Sequence, residues 1–135
     1  MVNALYNAGK EGFLGGTIDW DNDDIKTILV DTDDYTVDLV NHQDLADIPA
    51  GARVATSANM GSKTITAGVA DAADVTFSSV TGDQSEALVI FKDTGTEATS
   101  TLIGYIDTAT GLPVTPDGSD VTITWDGGAN RIFAL

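Results

Sequence analysis

The sequence predicts a mainly β fold: a single-domain antiparallel sandwich or barrel of about eight or nine strands, preceded by a short N-terminal helix. Two observations carry this. Of the 21 acidic residues only Glu11, Glu86 and Glu97 are glutamate, so 18 are aspartate. Aspartate favours turns and caps because its short carboxylate bonds nearby backbone amides, whereas glutamate favours helix interiors. The second observation is spacing: short apolar runs rich in Val, Ile and Thr recur between Asp, Gly and Pro punctuation, the pattern of antiparallel sheets. At 135 residues and 42% hydrophobic content, the chain suffices for one packed domain, here residues 1–135, and shows no linker or internal repeat.

The elements follow in order. Residues 1–16 form the helical segment, with Leu5, Ala8, Gly9, Gly12 and Phe13 in a helical stripe, Asn3 as N-cap and Gly15-Gly16 as the stop. Two interior glycines make that helix dependent on tertiary packing. Residues 24–31 contain the unbroken Ile28-Leu29-Val30, which predicts a strand covered on both faces. Residues 35–40 follow as a strand after the turn Thr32-Asp33-Asp34, and 42–48 as a helical turn before Pro49. Further strands are expected at 53–57, 63–69 and 75–80. The runs 87–91 and 102–106 are apolar on both faces and belong at the centre of the sheet. Val121, Ile123 and Trp125 alternate with polar residues, and Asp126-Gly127-Gly128-Ala129-Asn130 turns the chain into 131–135, so residues 120–135 are expected to close as a terminal β-hairpin.

Charge and composition exclude several partners. A net charge of −15 with six scattered bases cannot neutralise a phosphate backbone, so nucleic acid is not expected as a partner. No apolar run reaches the length of a membrane helix, and the first residues have neither the basic nor the apolar region of a secretory signal. Without cysteine there is no disulfide, thiolate metal site or cysteine nucleophile.

The motifs that carry chemistry fail on inspection. Counted from Asp19, Asp21 and Asp23 occupy the first ligand positions of an EF-hand, but position 6 is Asp24 instead of Gly and position 12 is Val30 instead of Glu. The cluster reads as a solvated loop leading into a strand, as do Asp31, Asp33 and Asp34, and no metal is expected. His42, the sole histidine, has Asp44 nearby but no nucleophile-elbow sequence, and reads as a surface or capping residue. A glycosidase-type carboxylate pair cannot be picked from 18 aspartates. Gly9-Lys10 is followed by Glu11 where a phosphate loop needs Ser or Thr. No enzymatic activity and no cofactor are expected. Arg53 and Arg131 read as local ion pairs or as contacts to an acidic partner.

Four blocks carry a resemblance. Residues 3–20 (NALYNAGKEGFLGGTIDW), 47–57 (DIPAGARVATS), 105–116 (YIDTATGLPVTP) and 123–133 (ITWDGGANRIF) together resemble a family of small virion structural proteins of tailed bacteriophages, over essentially the whole chain. The resemblance implies a non-enzymatic virion component synthesised in the host bacterial cytoplasm. Within that class the expected role is a decoration, or cement, protein bound to the major capsid protein on the outside of the expanded head, with contacts to other copies of itself open. Strong negative charge suits an outer position and disfavours one against packed DNA. The alternatives are a tail or neck component and a surface carbohydrate- or receptor-binding sandwich. Expected contact residues are Leu5, Tyr6, Phe13 and Trp20 in the N-terminal segment, Arg53, and Leu112, Pro113, Val114 and Pro116 in a proline-stiffened loop.

Overall fold

The computed structural model describes residues 4–128 and 131–135. Among the described residues, ten strands and one α-helix run in the order β1 (Ala4–Leu5), α1 (Asn7–Gly15), β2 (Ile25–Val30), β3 (Arg53–Thr56), β4 (Thr64–Thr66), β5 (Val69–Asp71), β6 (Val75–Phe77), β7 (Ala87–Lys92), β8 (Leu102–Ile106), β9 (Val121–Ile123) and β10 (Phe133–Ala134). All pairings are antiparallel. A five-stranded sheet has the order β1-β8-β7-β2-β3, a three-stranded sheet β10-β5-β4, and β6 pairs with β9. The sheets stack and do not close into a barrel.

The apolar runs are explained by cover on both faces of the five-stranded sheet. Residues alternate across a strand, so Ile25, Leu29, Leu88, Ile90 and Ile106 face one core, joined by Ile103 at the register shift in β8 and completed by Ala70, Val75, Phe77, Ile123 and Ile132 from the smaller sheets and their flanks. Ile28, Val30, Ala87, Val89, Phe91 and Leu102 face a second core. That second face is covered not by a sheet but by irregular chain: Tyr35, Ile48 and Ala52 are buried there, with Val37, Leu39 and Leu45 packed against them. Register confirms the sorting, since Leu29 stands opposite Leu88 and Ile28 opposite Val89.

Three expectations are corrected. Residues 35–40 form no strand; their alternating Tyr35, Val37 and Leu39 lie on the sheet's second face, where they bury apolar surface without a strand partner. Residues 63–69 fold back on themselves at Ala67 (φ 53°) and Gly68 (φ 77°), so β4 and β5 are a tight hairpin with Thr66 opposite Val69. The terminal hairpin at 120–135 does not form between the predicted arms. β9 pairs with β6, where Thr76 and Thr122 hydroxyls meet at 3.1 Å, and β10 pairs with β5. Trp125 is drawn to the same neighbours, its amide donating to the Asp74 carboxylate (3.1 Å) and its indole to the Ala73 carbonyl (3.0 Å).

The helix also starts later than expected. Tyr6 is its N-cap, while Asn3 lies outside the described residues. The predicted stop holds: Gly16 adopts φ 78° and its amide bonds back to Phe13.

Candidate functional site

Two of the expected contact residues belong to the core. Tyr6 is fully buried, and Trp20 is buried with its indole donating to the Asp71 carbonyl at 3.1 Å. The Tyr6 hydroxyl lies 2.8 Å from that of Tyr35, which in turn lies 2.9 Å from His42 Nδ1. Burial is the main cause that pushes the Tyr35 phenol up to about 12 and the Tyr6 phenol higher still, so both stay protonated and act as hydrogen-bonding groups. His42 therefore ends a buried phenol chain, a role beyond the surface or capping position that its sequence context predicts.

Arg53 is also engaged within the fold. Its Nε donates to the Ile48 carbonyl (2.9 Å), and its Nη2 to the carbonyls of Leu45 (2.7 Å) and Ile48 (2.6 Å) and to Glu97 Oε1 (2.9 Å). The loop 112–116 is anchored by reciprocal backbone bonds between Val114 and Ser85, both 2.9 Å. Leu112 and Val114 pack against the first core, Pro116 is half-buried, and Pro113, joined to Leu112 by a cis peptide, is exposed.

Phe13 leads to a surface that the sequence reading grasped only in part. Its ring packs on Phe133 (centroids 5.6 Å), and Phe133 meets Trp20 edge-on at 5.2 Å. These aromatics form the inner wall of an apolar groove of about 330 Å³, continued by Ile18, Ile65, Val69 and Leu135. Ile65 is 55% exposed and Leu135 68%; Leu14, beside Phe13, is 89% exposed. The contributing segments are far apart in sequence: the end of α1, the β4–β5 hairpin and β10. Ile65 between two threonines was the available signal, but only the hairpin turns it towards Phe13. Leu5 is half-buried against the first core and borders a separate groove.

The aspartates mostly close their own loops. Asp19 accepts from the amides of Asp21 and Asn22 and from the Asn22 side chain (2.8 Å), which holds its carboxyl below the usual range. The same arrangement recurs at Asp38 with Asn41, and Asp44 and Asp47 form a reciprocal capping box around Leu45–Asp47. A different grouping brings Asp31, Asp34 and Asp83 together, with one carboxylate oxygen of each within 4.8 Å of the others. Asp31 is buried and accepts from the Asp33 amide at 2.9 Å. Three oxygens supply part of the six to eight that Ca²⁺ takes, roughly. Among the described residues no base pairs with these three carboxylates, so the cluster is repulsive. Asp83→Asn is therefore expected to raise Tm by about 1–3 °C in a thermal melt followed by circular dichroism; a lower Tm would contradict the repulsion.

Compared with models of known protein families the chain matches none, and no curated protein matches it.

Proposed function

We propose that this chain is a structural component of a tailed-bacteriophage virion, specifically a decoration protein that docks on the major capsid protein at the outer surface of the expanded head. The observation that carries this reading is the apolar groove beside Phe13, with Ile65 and Leu135 exposed on a domain of net charge −15. Exposed large apolar side chains gathered at one place are characteristic of interaction surfaces. The domain behind them is suited to a clip, because its central sheet is packed on both faces and resists shear. A shell under internal pressure gains from many such clips, and the acidic surface favours a position away from packed DNA. The resemblance of the four sequence blocks to phage virion proteins supports the biological class.

Location decides the matter. Purified protein is expected to bind expanded, emptied heads saturably, at a copy number set by capsid symmetry, and imaging should place it on the outer surface. Ile65→Asp is expected to weaken that binding by about tenfold or more while leaving the far-ultraviolet spectrum unchanged. Particles lacking the protein should burst at lower temperature. Protein confined to the tail or neck, or binding glycans and no heads, would replace this reading, and equal heat stability of the bare heads would remove the stabilising role.

A further inference from the structure

Six bases face 21 acids, and four of those bases are used inside the fold. Lys26 pairs with Asp93 (2.6 Å), Lys92 with Asp23 (3.1 Å) and Arg53 with Glu97, while Lys63 donates to the Asp23 carbonyl (2.8 Å). The other two, Lys10 and Arg131, line one groove. Lys10 is exposed and makes no ion pair among the described residues, and Arg131 reaches Asp71 only at 3.9 Å. In a chain this acidic, two cations left without close partners at one place are a local inversion of the surface charge.

The groove has the form of a strand site. It measures about 450 Å³, with β1 and β10 along its sides and Ile90, Gly104 and Ile106 among its lining residues; ligand pockets run roughly 300–1,000 Å³. β1 is the outermost strand of its sheet, and so is β10. The Tyr6 amide bonds to the Ile103 carbonyl, so antiparallel alternation turns the N–H and C=O of Leu5 away from β8. The Leu135 amide bonds to the Gly68 carbonyl, which by the same alternation turns the backbone of Ala134 away from β5. Asp126 also lines the groove, with its Oδ1 accepting from the Gly128 amide at 3.1 Å. Past Arg131 the surface continues into a second depression of about 440 Å³ lined by Ala109, Thr110, Thr124 and Trp125.

We infer that this groove binds an extended, acidic segment of a partner protein, adding it as a strand beside β1 or β10 with its carboxylates at Lys10 and Arg131 and its small apolar side chains over Gly104. Open backbone edges supply the main-chain bonds and pockets select alternate side chains, as in strand addition generally. The charge selects the sign: distant acids of this chain are screened within about 8 Å at physiological salt, whereas the two cations act at contact. This site adjoins the apolar groove at Phe13, since Phe133 lines both, but does not depend on the head-decoration reading.

The test uses a fluorescein-labelled, end-capped Val-Asp-Val-Asp-Val peptide and its Val-Lys-Val-Lys-Val counterpart in fluorescence polarisation with the full chain. The acidic peptide is expected to bind saturably and the basic one not. Lys10→Ala with Arg131→Ala, both at exposed positions, should weaken the acidic peptide by about tenfold or more. Lys10→Glu with Arg131→Glu should abolish its binding with Tm retained. No binding, equal binding of both peptides, or binding indifferent to these substitutions would overturn the inference. So would sedimentation showing a dimer that dissociates in the double variant, because the occupant would then be a second copy of this chain.

Discussion

Gly9→Ala is expected to destabilise the protein by about 2–3 kcal/mol, although alanine is the better helix former by about 1 kcal/mol. A Cβ at Gly9 would lie 2.7 Å from the Ile103 carbonyl oxygen, 2.8 Å from the Ile103 Cα and 3.0 Å from the Leu102 carbonyl oxygen. All three atoms are backbone of β8, an interior strand of the five-stranded sheet, so none can rotate away. Relief would require α1 to lift from the sheet, and α1 is fastened at its start by the Tyr6 amide to Ile103 and the Asn7 amide to Leu39. The comparison within the same helix is the control. A Cβ at Gly12 meets side-chain atoms alone, the end of Ile18 and Thr17 Oγ1, and one at Gly15 meets nothing within 4 Å. Chemical denaturation should therefore rank Gly9→Ala below Gly12→Ala and both below wild type. Gly15→Ala should be more stable than wild type by about 0.5–1 kcal/mol. A neutral Gly9→Ala would mean that the close approach of α1 to β8 is wrong.

The helix shows what a single sequence reveals about this fold and what it hides. The apolar stripe through Gly9 and Gly12 predicted a packed helix, because two interior glycines weaken a helix that tertiary contacts do not hold. It did not show that Leu5 leaves the helix to pair with Gly104 as β1. Likewise Ile28-Leu29-Val30 announced a strand buried on both faces, because no amphipathic strand reads that way. The covers could not be read. Tyr35, Val37 and Leu39 carry the period-two pattern of a strand, yet that period records only which side of an extended chain is buried, not whether a neighbour bonds its backbone. The 120–135 arms failed for a related reason. A glycine-rich turn between alternating segments favours a hairpin locally, but Ile123 gained a better partner in Val75, 48 positions away, and Phe133 in Ala70.

The candidate surfaces were less legible than the strands. Trp20 and Tyr6 looked like contact residues because their segment is apolar yet irregular; burial beneath β5 and beside Tyr35 puts them in the core. Phe13 lines an apolar groove, but its neighbours Ile65, Phe133 and Leu135 are gathered there by the β4–β5 hairpin, whose turn at Ala67-Gly68 lacks the Asn-Gly or Asp-Gly pair that marks such turns. The carboxylate group hides in the same manner, since Asp83 comes to Asp31 and Asp34 only through the pairing of Ala87 with Val30.

Arg53→Ala is expected to cost about 2–4 kcal/mol in the free protein, on the scale of several hydrogen bonds made by one charged group. A residue used only to contact a partner would leave free stability unchanged, so this variant separates the two roles foreseen for Arg53. Its guanidinium ties the start of β3 to the carbonyls of Leu45 and Ile48, and Ile48 is fully buried in the second core. Through Glu97 it also reaches the turn Glu97–Thr99. It thus fastens the irregular chain that covers the second face, alongside the backbone bonds from the Leu45 amide to the Ser100 carbonyl and from the Leu102 amide to the Gln43 carbonyl. Loss of the fork frees that cover, and amides between residues 42 and 52 should exchange with solvent faster than those of β7. Arg53→Lys should recover less than half of the loss, because a single ammonium cannot span both carbonyls and Glu97. The pH dependence follows from the same contact. The Arg53 guanidinium holds the Glu97 carboxyl below its ordinary range, so the folded state binds fewer protons there than the unfolded chain. The stabilisation is complete above the unfolded value and is lost as pH falls through the depressed folded value. Arg53→Ala should remove this component, leaving a shallower loss of stability on acidification; an unchanged acid limb would place the stabilisation in the carbonyl bonds alone.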